Sequence, residues 1–239
     1  MTLRPAGFAF LTLASCATAQ FSVPSIEATK VERSLLGQSR FLRVSMYSTP
    51  FFGDATKTLL TAVPPEEVEL LTHPDGSAVN PGRVETIFPV GTPVRIRSVE
   101  FPSASVMAQR MLFTPRTLAW VTMEVGAAPR NAKPSVLVLR PGLASERELV
   151  AELERYLVEA DPSRALGAFP ESIREAIRSK TATTEMTAEA LEMAWGYPEQ
   201  KRLQLVNTQR RETWKWPHKR RAELVDGRVT SLSEEPARR

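Results

Sequence analysis

Near residue 140 the apolar residues of this chain change their spacing, and that switch most limits the folds it can adopt. Before it, short apolar runs alternate with turn signals. GTPVRIRSVEF (91–101) sets Val94 and Ile96 against Arg95 and Arg97, the two-residue period of a strand buried on one face. FLRVSMY (41–47), VELL (68–71), VETIFPV (84–90), LAWVTMEV (118–125) and SVLVL (135–139) read as further strands. Pro50, HPDG (73–76) and NPG (80–82) supply turns between them. Beyond residue 140 the spacing becomes helical. SERELVAELERYLVEA (145–160) opens with Ser145 and Glu148 placed as a capping box. It gathers Leu149, Leu153, Tyr156, Leu157 and Ala160 on one face and leaves Glu152, Glu154 and Glu159 for the wet side. Pro170 opens a second helix over 170–179, with Ile173, Ala176 and Ile177 inward.

The order predicts an α+β chain. A barrel- or sandwich-like β-rich domain is expected over 39–140, a helical connector over 141–169, an α+β module over 170–233 and a short tail over 234–239. Nineteen prolines against eleven glycines suit many short strands with stiff connections. With one cysteine there is no intramolecular disulfide and no cysteine-rich metal site, so packing alone holds the core.

The C-terminal module has the clearest local signals. Thr187 is placed to cap a helix, with Met186 and Leu191 as a hydrophobic staple across it. Gly196 stops that helix and Pro198 enforces the end. RETWKW (211–216) reads as a strand with Trp214 and Trp216 on one face. Asp226-Gly227 joins RRAELV to RVTSL as a type I′ hairpin, pairing Val225 with Arg228, Leu224 with Val229 and Glu223 with Thr230. The alternation is imperfect, because Leu232 then shares the side of Arg221.

This order of capped helix, Gly-x-Pro, aromatic strand and Asp-Gly hairpin resembles the SmpA/OmlA family of small outer-membrane lipoproteins. The matching residues are Met186-Thr187, Trp195-Gly196-Tyr197-Pro198, Glu212-Thr213-Trp214-Lys215-Trp216 and Asp226-Gly227-Arg228-Val229. The resemblance covers about 60 of 239 residues. It implies two helices on a three-stranded antiparallel sheet, and an accessory role beside the machine that inserts outer-membrane β-barrels. Members of that family are little more than this domain, whereas here it follows about 150 residues of other sequence. GTPVRIRSVE also resembles strands of the SH3-like barrels of bacterial envelope proteins, which often bind peptidoglycan.

The N-terminus has the layout of a secretory signal: Arg4, an apolar run from Ala6 to Ala14, then small residues. Leu13-Ala14-Ser15-Cys16 resembles the lipobox of bacterial lipoproteins, which implies a signal peptide over 1–15, a diacylated Cys16 and a lipidated tether over 16–38. Ala17 in place of Asp after that cysteine implies sorting to the outer membrane. Ala17-Thr18-Ala19 offers the other cut, by ordinary signal peptidase, and would leave a secreted or periplasmic soluble chain.

The expected function is therefore a non-catalytic, lipid-anchored interaction or scaffold module facing the periplasm, with the membrane and another envelope protein or peptidoglycan as partners. From Pro198 onward eleven Lys or Arg face six Asp or Glu, so the basic character of the chain, +4 overall, is concentrated there. His218, Lys219, Arg220 and Arg221 beside Trp214 and Trp216 make a candidate contact for a partner or lipid headgroup. The other reading of the tryptophans is core, and of the basic run a solvated strand end. An exported chain rarely meets nucleic acid, so none is expected. RMLFTPR (110–116) offers two arginines around a turn, either for an anion or as a solvated loop.

No G-x-S-x-G, H-E-x-x-H, Walker or G-x-G-x-x-G pattern occurs, and the two histidines lie 145 positions apart. No cofactor, metal ligand or catalytic residue is assigned. The enzymatic alternative is a carboxylate-dependent cell-wall hydrolase, which requires two carboxyl groups facing a deep cleft, one of them with a raised pKa.

Overall fold

The computed structural model describes residues 24–127, 132–217 and 220–234. Its architecture is mixed α+β, with an eight-stranded sheet, a four-stranded antiparallel sheet and six helices among the described residues. The expected signal peptide over 1–15 and the expected lipidation site Cys16 lie outside the described residues.

The first helix, α1 (Ser25–Leu35), occupies most of the described part of the expected tether. Ala28, Val31 and Leu35 recur at helical spacing and are all buried, packing toward the large sheet. Lys30 reaches Glu146 at 2.9 Å, tying α1 to the start of a later helix. This stretch is docked structure, not spacer.

The large sheet uses β1 (Ser39–Leu42), β2 (Met46–Phe51), β3 (Asp54–Thr61), β4 (Thr86–Phe88), β5 (Pro93–Glu100), β6 (Trp120–Val125), β7 (Ser135–Val138) and β8 (Leu157–Val158). Their order is β4-β2-β3-β7-β6-β5-β1-β8, antiparallel except for β3 beside β7. It is one continuous sheet, not the two facing sheets of a sandwich. In β5, Val94 and Ile96 point inward as expected, but a register shift between Ile96 and Ser98 hands the inward position to Val99. FLRVSMY is split between β1 and β2, and VELL follows a 3-10 turn (Pro65–Glu67) as irregular chain.

Helix α2 (Ala104–Gln109) is capped by Ser103, whose side chain accepts from the Val106 amide. Helix α3 (Glu146–Leu153) starts at the Ser145 cap the sequence suggests, but the bond returned by Glu148 falls one residue before the cap. Ser145 Oγ accepts the Glu148 amide at 3.3 Å, while Glu148 Oε2 accepts the Ala144 amide at 2.7 Å. The helix nevertheless stops at Leu153 rather than 160, because Leu157 and Val158 pair with Leu42 and Phe41 as a strand. Glu152 is buried, not wet. Arg140 and Arg155 reach its carboxylate at 3.1 and 3.2 Å, which offsets the cost of burying it.

Helix α4 (Ser163–Leu166) is one turn; α5 (Glu171–Arg178) and α6 (Ala188–Trp195) then cover the small sheet. That sheet is formed by β9 (Gln200–Val206), β10 (Gln209–Lys215), β11 (Arg221–Val225) and β12 (Arg228–Ser233), in the order β12-β11-β10-β9. It has one strand more than the three-stranded expectation, the addition being β9. Packing also crosses the expected boundaries. One core cluster runs from Val31 to Leu157, and Val90 belongs to the cluster under the small sheet.

Candidate interaction surface

Local chemistry builds the C-terminal module much as its residues suggest. Thr187 Oγ1 accepts the Ala190 amide at 3.1 Å and starts α6. Met186 and Leu191 are both fully buried beside it. Gly196 ends the helix at φ +84° and ψ −175°, a conformation open essentially to glycine alone. Asp226 and Gly227 both have positive φ, as a type I′ turn requires. Val225 pairs with Arg228 and Leu224 with Val229; Glu223 then faces Ser231, because Thr230 is the extra residue of a bulge. The bulge brings Leu232 opposite the buried Ala222 and removes the mismatch in the sequence pattern.

On the helix-facing side, Trp214 and Trp216 are 2% and 4% exposed. Trp195 packs edge-on to Trp216 with ring centroids 5.1 Å apart, and Trp216 Nε1 donates to the Gly196 carbonyl at 3.0 Å. Trp214 Nε1 donates to Glu212 at 2.9 Å. The two indoles are core, so they offer no exposed aromatic pair to a partner.

A polar seam joins this core to the large sheet. Ser45 donates its amide to the Met193 carbonyl at 2.8 Å and its hydroxyl to the Ile177 carbonyl at 2.7 Å. Lys180 Nζ donates to the carbonyls of Ser45 and Ala194 at 2.5 and 2.7 Å. Burial pushes the Lys180 amine well below its ordinary pKa, and the nearby Arg220 charge pushes it the same way. Arg220 in turn meets Glu67 at 2.7 Å. Arg220, expected on the contact surface, is thus buried in the seam, and Lys219 lies outside the described residues.

Among the described residues, no helix covers the opposite face of the small sheet. The ladder places Arg202 beside Thr213, Gln204 beside Arg211, and Lys215 beside Arg221. With Arg228 next to Val225, these side chains share one side, because residues on one face recur every second position. Arg202, Gln204, Arg211, Thr213, Lys215 and Arg221 line a depression of about 500 Å³. Arg221 is paired with Glu223 at 2.6 Å. Among the described residues no ion pair engages Arg202, Arg211, Lys215 or Arg228, and all four are exposed. Of the sequence candidates only Arg221 belongs to this face; the other four cations emerge once strand register is known.

Elsewhere, Arg110 is a structural group rather than an anion contact. Its guanidinium lies 3.7 Å from the Trp120 ring centre and donates to the carbonyls of Arg116 and Leu118 at 3.0 and 2.7 Å. Among the carboxylates that depart from ordinary values, Asp54 feels burial raising it, but hydrogen bonds from Lys57 and Thr56 bring it down. Hydrogen bonds from Ser77, Ser163 and Arg174 lower Asp75, Asp161 and Glu171 respectively. These shifts run opposite to those of a general acid. Among the described residues no cluster of three His, Cys, Asp or Glu is placed to hold a metal ion, and no helix is long and apolar enough to cross a membrane.

Comparison of the chain with protein-family models, with curated proteins and with solved structures found no match.

Proposed function

We propose that this chain is a lipid-anchored interaction module of the cell envelope, fixed through Cys16 to the outer membrane and facing the periplasm. In this reading it acts by binding an anionic surface of an envelope partner, not by catalysis. The observation that carries the binding half is the uncovered, concave sheet face, where Arg202, Arg211, Lys215 and Arg228 stand exposed without ion-pair partners. Glu223 shares this face but is paired with Arg221, so the charge of the other four cations is left unbalanced there. The anchoring half rests on the leader and the Leu-Ala-Ser-Cys box. Two acyl chains on one cysteine hold a protein on a bilayer durably, where one holds it marginally.

Labelling cells with a palmitate analogue and sedimenting membranes tests the anchor. Wild type is expected to be labelled and pelleted, and Cys16→Ser unlabelled and soluble; a soluble, unlabelled wild type sinks the anchor. A pull-down from solubilised membranes tests the face. Arg202→Glu with Arg211→Glu should lose the partners that wild type retains. An unchanged partner set would remove the basic face from the mechanism.

A further inference from the structure

We infer that β9 is a docking edge for a strand of a partner protein whose side chains alternate between acidic and apolar. This rests on the reading of the C-terminal sheet as an interaction surface and names the partner's chemistry.

All seven residues of β9 are exposed, and among the described residues its one neighbour in the sheet is β10. The helical layer reaches only the start of β9, where Lys201 pairs with Glu192 of α6 and lies 3.9 Å from the Trp214 ring centre. The core under α5 and α6 gathers Trp214, Ala222, Leu224 and Val229 from the other three strands and nothing from β9. Leu203 and Leu205 are therefore 56% and 76% exposed on the helix side, and Val206 is 36% exposed on the other. Soluble proteins guard such edges with charges, prolines or bulges. Here Lys201 and Arg202 stand at the start, and from Leu203 to Val206 there is no charge and no proline. The ladder to β10 is regular from Gln200 to Val206.

Among the described residues the outer backbone edge of β9 has no strand partner either. The Asp226 amide donates to the Arg210 carbonyl, and the Trp216 amide to the Arg220 carbonyl, so even-numbered residues of β10 bond toward β11. The odd-numbered residues then bond toward β9, where they face Gln200, Arg202 and Gln204. By alternation, the amides and carbonyls of Lys201, Leu203 and Leu205 point outward along the edge. An added strand would satisfy them and continue the sheet.

The two faces set the partner's pattern. On the helix side an added strand meets Leu203 and Leu205, which calls for apolar residues. On the outer side it meets Arg202, with Arg211 one strand further in, which calls for carboxylates. A second copy of this chain fits poorly. Antiparallel pairing of β9 with itself about Leu203 would join two outer faces of the same positive sign. A lipid headgroup surface offers no backbone in register with the edge.

The test uses the full chain carrying Cys16→Ser, which keeps it in solution, and two labelled synthetic peptides, one alternating valine with glutamate and one alternating valine with lysine. Fluorescence anisotropy should show the acidic peptide binding about tenfold tighter, as a few favourable cross-strand pairs would give. Amide exchange at Lys201, Leu203 and Leu205 should slow when it binds. Leu203→Lys should weaken binding. Leu205→Pro, at an outward amide that the β9–β10 ladder does not use, should abolish binding while the unfolding midpoint stays within a few degrees. Equal affinity for both peptides overturns the proposal, as does acidic-peptide binding that leaves the three amides unprotected. The latter result would leave the basic-face reading standing. Concentration-dependent dimers, or phosphatidylglycerol vesicles, protecting the same amides without peptide would replace the partner strand by a second copy or a bilayer.

Discussion

Arg220 closes on Glu67 at 2.7 Å across the seam between the two sheets, with side chains only 6% and 11% exposed. Arg220 also lies 5.3 Å from the face of Trp195, so its charge is held between one carboxylate and one indole. Glu67→Gln would leave that guanidinium buried without a counter-charge. The expected cost is about 3–5 kcal/mol, the usual penalty for removing one partner of a buried pair. Urea unfolding measures it. The double change Glu67→Leu with Arg220→Met should be milder than Glu67→Gln, because both desolvated charges disappear. A cost below about 1 kcal/mol would place the pair in solvent rather than in the seam.

Lys180 sits beyond the C-terminus of α5 at φ +57°, where glycine is the ordinary choice. Its side chain explains its presence, since the amine donates to the carbonyls of Ser45 and Ala194. With the folded pKa depressed and the unfolded one ordinary, the unfolded chain binds more protons between the two values. Stability therefore rises with pH across that window, where folding releases a proton, and is lowest below it, where the amine is buried in its charged form. Arg220 is the charge that adds to this effect, and the Tyr47 ring lies 5.0 Å away. Unfolding free energies measured from neutral pH to the ordinary lysine range should climb for wild type. Lys180→Met should flatten the climb.

Gly196 and Gly227 both have positive φ, yet they predict different costs for alanine. A methyl on Gly196 would lie 3.2 Å from the Ala62 side chain across the seam and force a backbone conformation that L-residues avoid. A methyl on Gly227 meets nothing within 4 Å. Gly196→Ala should cost about 2–3 kcal/mol and Gly227→Ala about 1 kcal/mol, since only the first combines strain with a contact. Equal thermal shifts would contradict the close approach at Ala62.

The features legible in the sequence were those decided within a few residues. Thr187, Gly196 and Asp226-Gly227 each act on their own turn of chain, and each appears where its chemistry puts it. The misplaced Leu232 was itself the trace of the bulge at Thr230. Features decided by distant partners were not legible. Tyr156 and Leu157 continue a helical stripe, but pairing of Leu157 with Leu42 overrides it. The stripe Ala28, Val31, Leu35 is interrupted by polar residues and acquires meaning only against β5. β9 has no buried residue to give it a period, and the cations of the open face share a side only once their register is known. The basic excess was visible in composition; its assembly into one face was not.

Arg110 carries a prediction about the exposed turn Met111-Leu112-Phe113 that follows it. The Thr114 amide and hydroxyl both donate to the Met111 carbonyl, at 3.2 and 2.7 Å, so the turn closes on itself. Its base is held by the Arg110 guanidinium bonding to Arg116 and Leu118, and by Trp120 Nε1 donating to the Pro115 carbonyl at 3.0 Å. Arg110→Met keeps much of the packing against Trp120 but leaves the carbonyls of Arg116 and Leu118 without those donors. The expected loss is about 2–3 kcal/mol, the cost of unsatisfied buried acceptors with the hydrogen bonds to a charged group removed. The turn should also open locally, because its base loosens before the sheet does. Chymotrypsin cleavage after Leu112 and Phe113 should therefore accelerate more than global unfolding does. Cleavage that tracks global unfolding alone would mean the turn is held by its own bonds and not by Arg110.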